Sequence, residues 1–436
     1  MPSRLPRVAR RSASDPSWSV FLVTVVLCLL RARDLPSVDV DTGGTRLSIG
    51  PADLALLATA VLGALRLHGR KRVPSPWLLA ATAAFALLLV CSALPNGADA
   101  LAAAGKLAEL GALTLGAAAF LDSRERLVRL ATLLVGFTLV AAAWASVGFV
   151  RGGGRQASFI GEHDLAALGA IAVAVGLAHV HSRPGRLGLL VLFGLVAGGL
   201  GISLGASLAG LLGLYLVAAV VLGLALLRGR FRPAATLATL VVVAAATAAT
   251  LTIRSGELGF LQELFGPEPE RPGQYAASWS QRLIYAYVGG RVFLDRPVLG
   301  TGWQGELPPE DFARYLPDAR VRFSGQPANY FPRARGTLIP QQTYDQVLFQ
   351  LGLVGAALFL AVGGLALRAA LFTARAWPRA GDRPELAYLP LAWIAGLGGA
   401  LAGAALFGGA PLTATFWLTL GVVAAGPALV PADGGA

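Results

Sequence analysis

The chain has 436 residues, 55% of them hydrophobic and only 14% charged, with a formal net charge of +12. A soluble domain carries roughly a quarter charged residues, so this composition, with a mean hydropathy of +0.65, excludes an ordinary water-soluble domain. The positive balance does not indicate a nucleic-acid partner, because the arginines cluster in short segments between apolar runs, as membrane topology requires.

Residues 1–17, MPSRLPRVARRSASDPS, are basic and precede the apolar run Trp18–Leu30. A secretory leader has this order, but Arg31, Ala32 and Arg33 stand where a small-residue cleavage site would follow. The sequence therefore predicts a retained first helix. Further apolar runs lie near 50–67, 76–94, 98–120, 130–150, 162–180, 187–204, 206–227, 234–253, 345–367, 386–407 and 412–431. Together they predict an all-α polytopic membrane protein with about twelve transmembrane helices. Cys28 and Cys91 fall inside apolar runs and support neither a disulfide framework nor a zinc site.

With the N-terminus in the cytoplasm, the inner segments hold Arg4, Arg7, Arg10, Arg11, Arg66, Arg70, Lys71, Arg72, Arg124, Arg126, Arg129, Arg183, Arg186, Arg228, Arg230, Arg232, Arg368, Arg375, Arg379 and Arg383. The short outer loops hold only Arg31, Arg33, Arg46, Arg151 and Arg155. Twenty against five sets the orientation, with both termini cytoplasmic. Residues 1–17 are then a basic cytoplasmic tail, 18–253 hold spans one to nine, 254–340 form one large extracytoplasmic loop, 341–431 hold spans ten to twelve, and 432–436 end the chain inside.

The loop of 87 residues carries ten arginines, no lysine, and nine acidic residues that nearly balance them. Arginine suits planar, bidentate recognition of phosphate or carboxylate, although Lys71 and Lys106 are the only lysines in the whole chain and a general arginine bias contributes. Within the loop, GELGFLQELF (256–265) has the spacing of a surface-lying helix, GPEPERPG is a turn, and 280–297 and 308–320 read as helices. No repeat of 20–50 residues is visible, and the two halves of the chain do not match.

Three segments carry the polar chemistry. In RGGGRQASFIGEHDLAALGA, a glycine-rich outer loop with Arg151 and Arg155 leads into Glu162, His163 and Asp164 at a helix start. Acidic residues there complement the helix dipole, and a capping cluster is one reading; three consecutive ionisable groups at a membrane boundary favour a functional one. One histidine between two adjacent acids cannot turn all three toward a single ion, so no metal is expected. In YAYVGGRVFLDRPVLGTGWQGE, Gly300 and Gly302 allow close backbone approach to a ligand, and Trp303 offers a stacking face or an interfacial anchor. In IPQQTYDQVLFQLGLVG, the run Gln341, Gln342, Thr343, Tyr344 and Asp345 stands at the mouth of the tenth span. Lys106 and Glu109, three residues apart in the fourth span, are either a functional site or an i,i+3 ion pair.

The order of these motifs resembles the O-antigen ligase and O-antigen polymerase superfamily of polytopic, lipid-linked glycan transferases. The residues that carry the resemblance are Arg282, Asp295-Arg296-Pro297-Val298-Leu299-Gly300-Thr301-Gly302-Trp303, and Gln342 through Gly355, with SFIGEHDLAAL near the sixth span. The resemblance implies an undecaprenyl-diphosphate-linked glycan as donor, a glycan, lipid or protein acceptor, and inverting displacement at the anomeric carbon without metal or cofactor. It also implies work at the outer face of the cytoplasmic membrane, in cell-surface polysaccharide assembly. Arg282 and Arg291, then Arg151, Arg155 and Arg296, are the expected cations for the diphosphate. Glu162 and His163 are the expected proton acceptors, and Asp164, Trp303, Gln341, Gln342, Tyr344 and Asp345 the expected binding groups.

Two departures stand out. The family pattern carries His-Asn where Gln341-Gln342 stand, and an arginine expected after Ser207 is replaced by Leu208. The alternatives are a lipid-linked-glycan transporter, against which the missing repeat and the few mid-membrane charges count, and a non-catalytic envelope scaffold.

Overall fold

A computed structural model describes residues 15–31, 35–41, 46–70, 72–182, 188–255, 274–305, 309–332, 342–378 and 383–430. The expected surface helix at 256–265, the turn that follows it, Gln341 and both chain ends lie outside the described residues. In chain order the elements are α1 (Pro16–Leu29), β1 (Val38–Asp41), β2 (Arg46–Ile49), α2 (Pro51–His68), α3 (Pro76–Ala93), α4 (Gly97–Ala108), α5 (Gly111–Phe120), α6 (Arg124–Gly152), α7 (Glu162–Ser182), α8 (Leu189–Gly205), α9 (Leu208–Leu227), α10 (Pro233–Ile253), α11 (Gln274–Asp295), α12 (Pro309–Arg322), α13 (Thr343–Ala376), α14 (Leu389–Ala400) and α15 (Pro411–Leu429). Proline opens α1, α2, α3, α10 and α15, where its missing N–H costs nothing. Side chains of Asp15, Ser123 and Ser207 cap α1, α6 and α9.

Eight stretches among the described residues are long and apolar enough to cross a membrane. Three of the twelve expected spans fall on shorter helices, α1, α8 and α14, and two more form the continuous run Pro76–Phe120. The 14 residues of α1 reach roughly 21 Å at 1.5 Å per residue, against a hydrocarbon core of about 30 Å. An antiparallel hairpin, β1 with β2, pairs Val38 with Ile49 and was not expected from the sequence.

The fourth expected span, 98–120, is broken between α4 and α5. Lys106 Nζ lies 2.6 Å from Asp53 Oδ1 and 3.5 Å from Glu109 Oε1. Because Asp53 belongs to the first turn of α2, α4 ends at the level where α2 begins. The crossing beside α2 is therefore left to α5.

Close packing at the centre rests on small residues, as it must where lipid removes the hydrophobic drive between helices. A Cβ added at Gly198 of α8 would lie 2.6 Å from the Gly169 carbonyl of α7, and one at Gly194 would lie 2.9 Å from that of Ala172. Helices α7 and α15 are buried on nearly every side.

One end of the bundle is closed by arginines. Asp15 Oδ2 accepts from Arg66 (2.7 Å) and Arg126 (2.8 Å), and Arg66 also reaches Asp122 (2.5 Å). Burial works against the Asp15 charge, yet hydrogen bonds from Arg126 and Arg66 hold its pKa down to about 2. Arg228 donates to the carbonyls of Ala374, Trp377 and Pro378, capping the end of α13, and Arg124 lies 4.9 Å over the Trp377 ring.

Helix α13 is interrupted at Gly352 (φ 62°, ψ −159°). A break inside an apolar environment strands backbone groups unless protein supplies partners. The segment after α11 supplies them. Leu353 and Val354 N–H donate to the carbonyls of Pro297 (2.8 Å) and Val298 (3.1 Å). Thr301 and Gly302 N–H donate to those of Phe349 (3.3 Å) and Gln350 (2.8 Å). The contact needs bare backbone on both sides: Gly300 has φ +65° and a Cβ there would lie 2.6 Å from the Gln350 carbonyl. Gly352→Ala is expected to lower the melting temperature of the purified protein, since this backbone region costs a side chain about 1–3 kcal/mol. Gly363→Ala, in the same helix with open space around its Cβ, is expected to leave it unchanged or raise it. A Gly352→Ala protein as heat-stable as wild type would contradict this role.

Candidate functional site

The end of the bundle opposite the Asp15–Arg126 network gathers the end of α6, the starts of α7, α9 and α13, and the end of α10. After α6 the chain turns through Gly153 and Gly154, both with positive φ (+63° and +68°), and delivers Arg155 to the start of α7. Arg155 Nε donates to the Gly205 carbonyl (2.8 Å), which aims the guanidinium. Its Nη2 lies 3.0 Å from Glu162 Oε2 and 3.4 Å from His163 Nε2.

These contacts determine the histidine tautomer. A guanidinium only donates, so Nε2 of His163 is the acceptor and the ring proton sits on Nδ1. Nδ1–H then donates to Ser207 Oγ at 3.0 Å. Ser207 Oγ also accepts from Gly210 N–H (3.4 Å) as the cap of α9. Its own hydroxyl proton is used in neither contact.

Arg155, His163, Ser207, Arg254, Arg282 and Gln342 line a cavity of about 210 Å³, with Leu208, Leu212 and Gly403 completing the wall. Arg254, at the end of α10, donates to the Ala206 carbonyl (3.1 Å). Arg282 comes from α11, outside the expected spans. Burial and the neighbouring charges of Arg155 and Arg254 push its pKa below the usual arginine value. Three guanidiniums thus line one partly desolvated cavity, with the donor geometry that recognises phosphate or carboxylate.

Of the residues singled out in the sequence, Arg155, His163, Arg282 and Gln342 meet in this cavity, and Glu162 joins them through Arg155. Others lie elsewhere. Arg151, at the exposed end of α6, does not line the cavity. Arg291 pairs with Asp318 (3.1 Å) and Arg296 with Asp311, so both fasten α11 to α12 instead of facing a diphosphate. Ile284, Val288, Val292, Tyr315 and Leu316 form the small core beneath those pairs. Trp303, expected as a stacking face, is buried; its N–H donates to Ser92 Oγ (3.3 Å), and Asn96 donates to its carbonyl (3.3 Å) at the end of α3. Of the glycines beside it, Gly300 approaches the backbone of α13 and Gly302 that of Ser92 at the end of α3.

The polar start of α13 is mostly structural. Thr343 Oγ1 donates to the Ala404 carbonyl (2.7 Å), Tyr344 to that of Gly398 (2.6 Å) and Gln346 to that of Leu406 (3.2 Å), while Gln346 Oε1 accepts from Leu406 N–H (2.8 Å). They fix the connection between α14 and α15, which brings Gly403 against His163. Asp345 sits half-buried in the same turn and does not line the cavity. In the sequence Ser207 stands out only as the residue before the missing arginine, and Arg254 only as one of the loop's ten arginines. Arg254 directly follows the apolar run of α10 and reads there as an ordinary span boundary; only the fold shows it beside Ser207, near the position where Leu208 replaces the expected arginine.

Asp164 turns away from the cavity. Its half-buried carboxylate accepts, through Oδ1, from Leu412 N–H at 2.6 Å, in the first turn of α15. Asp164→Ala is expected to cost about 1–2 kcal/mol, the usual loss of a helix cap, read as a lower melting temperature. Activity per folded molecule is expected to stay near wild type; a fully stable but inactive Asp164→Ala protein would return Asp164 to the chemistry.

Residues 193–360 match the family model described as O-antigen ligase. The matched range runs from α8 into α13 and contains Ser207, Arg254, Arg282 and Gln342, whereas Arg155, Glu162 and His163 precede it. No curated protein matches the chain. Residues 193–360 thus support the O-antigen ligase superfamily as the family of this multi-pass, apolar helical chain.

Proposed function

We propose that the protein is an O-antigen ligase-like glycosyltransferase that moves a glycan from an undecaprenyl-diphosphate carrier to an acceptor hydroxyl during cell-surface polysaccharide assembly. The observation that carries this reading is the convergence of Arg155, Arg254 and Arg282 on His163 in one cavity. A diphosphate carrying one negative charge on each phosphate suits bidentate recognition by guanidiniums. The carrier's lipid tail lies among the helices.

In the proposed step, the acceptor oxygen attacks the anomeric carbon and inverts it. The bond from that carbon to the phosphate oxygen breaks, and the lipid diphosphate leaves with the bonding electrons. The arginines stabilise the charge that develops on the leaving group. The hydroxyl proton passes to Nε2 of His163, which becomes available once Arg155 turns from the imidazole toward phosphate. Ser207 holds the ring in the required tautomer, and Gln342 orients a sugar or phosphate oxygen. No step uses a metal or cofactor. The acceptor class, whether glycan, lipid or protein, is left to donor–acceptor profiling in membranes.

The charge pattern of the sequence supports a cytoplasmic-membrane protein of twelve spans, with both termini inside and the 254–340 loop outside. The cavity would then open on the outer face, because it sits at the end of the bundle away from Arg66, Arg124 and Arg126.

Transfer from a lipid-linked glycan donor, measured in membranes and normalised to protein amount, tests the site. Arg254→Ala and Arg282→Ala are each expected to lose about 10²–10³ in rate, the usual effect of removing a preorganised charge-stabilising donor. Arg291→Ala, which removes an exposed pair, is expected to lose about fivefold or less. Full transfer by both Arg282→Ala and His163→Ala would sink the proposal.

A further inference from the structure

Glu162, His163 and Asp164 open α7 as three consecutive ionisable groups, and successive helix residues point about 100° apart. Each faces a different neighbour. His163 lines the arginine cavity, Asp164 takes the Leu412 N–H of α15, and Glu162 meets Arg155. Glu162 does not itself line the cavity, so its carboxylate acts there through Arg155.

The near end of Arg155 is pinned to the last turn of α8. Gln156 N–H donates to the Leu204 carbonyl at 2.9 Å, and Arg155 Nε donates to that of Gly205 at 2.8 Å. The far end is shared. Its Nη2 carries two protons, and two acceptors stand within reach, Glu162 Oε2 at 3.0 Å and His163 Nε2 at 3.4 Å. The first contact is short and joins two charges, whereas the second is long, so Glu162 decides where Nη2 sits. In that position Nη2 covers the one ring nitrogen that can accept a proton, because Nδ1 is committed to Ser207.

We propose that Glu162 is a positioning residue, a latch that holds Arg155 across His163 Nε2 until a phosphate of the donor takes the guanidinium over. Carboxylate and phosphate compete for the same planar donor, so the exchange replaces one partner with another of the same kind. Donor binding then precedes productive acceptor binding, because the acceptor hydroxyl can hydrogen-bond to Nε2 only after Arg155 has left it. This order rests on the proposed transfer reaction; the latch itself does not.

The latch is tested on the purified full-length protein with diethyl pyrocarbonate, which acylates an uncovered imidazole nitrogen, the rate at His163 being read by peptide mass spectrometry. Glu162→Gln and Glu162→Ala are expected to raise that rate about threefold over wild type, the size that a partly exposed ion pair supports. Arg155→Ala is expected to raise it at least as much. Rates equal to wild type in all three variants, or a rise in Arg155→Ala alone, would overturn the latch. In the transfer assay, Glu162→Gln is expected to lower the donor KM about threefold, without the hundredfold loss of kcat that removing a proton acceptor brings. Such a loss would return Glu162 to proton transfer and overturn the proposal. Isotope trapping on wild type is expected to capture prebound donor and not prebound acceptor; captured acceptor would overturn the order. A wild type without transfer would fail the proposed function instead, while the His163 rates still decide the latch.

Discussion

A helix cannot break inside a membrane unless something else satisfies the peptide groups that the break releases. That constraint governs the functional end of this protein. At Gly352 the ladder of α13 is interrupted, and the Pro297–Gly302 segment makes four backbone hydrogen bonds across the gap. The segment is the tail of α11, so the repair of one helix fixes the position of the other. One turn further along, Gly289 of α11 meets the Phe349 ring of α13. Arg282 and Gln342, which share the cavity, have the same separation in sequence as Gly289 and Phe349. The two helices therefore run side by side in the same direction over this stretch, and the clamp at Gly352 sets the depth at which Arg282 enters. The Asp-Arg-Pro-x-x-Gly-x-Gly-Trp motif is best understood as this clamp. Its proline and glycines expose backbone, Trp303 anchors it to α3, and Arg296 ties it to α12.

The same economy appears at the start of α13. Polar side chains at the mouth of a membrane helix are costly when unpaired. Here Thr343 and Gln346 spend their hydrogen bonds on the α14–α15 connection, and Tyr344 reaches a carbonyl in the last turn of α14. That connection in turn supports both Gly403, at the arginine cavity, and Gly408, at Lys106.

Much of the helical framework was legible because apolar runs of span length need no tertiary information to be recognised. The breaks were not. Residues 98–120 read as one span because alanine, leucine and lysine favour helix throughout; the chain bends there because Lys106 and Glu109 find Asp53, a partner more than 50 residues away. Gly352 lies in LGLVG, where a glycine in an apolar helix looks unremarkable, and its positive φ follows only from the segment docked against it. At the site, Arg155 and His163 are recognisable as chemistry placed at a span boundary, and Arg282 through the motif order of the outer loop. Arg291 and Arg296 were equally plausible by residue type, and their acidic partners on α12 could be paired with them only in three dimensions. Arg254 was overlooked for the opposite reason, since an arginine closing an apolar run already has a sufficient explanation.

The departures from the family pattern bear on one another in space. Leu208 leaves Ser207 without an adjacent arginine in sequence, yet Arg254 reaches the carbonyl of Ala206, one residue before it. Ser207 Oγ accepts a hydrogen bond from the Nδ1–H of His163. His163 in turn stands across the cavity from Gln342, close to where the family pattern carries its histidine. A glutamine can orient an oxygen but cannot take up a proton at neutral pH, whereas an imidazole with its proton fixed on Nδ1 presents Nε2 as an acceptor. His163 and Arg254 thus reach the same cavity as Gln342 from α7 and from the end of α10. Side-chain position within a cavity, unlike position along the chain, is what charge stabilisation and proton transfer depend on.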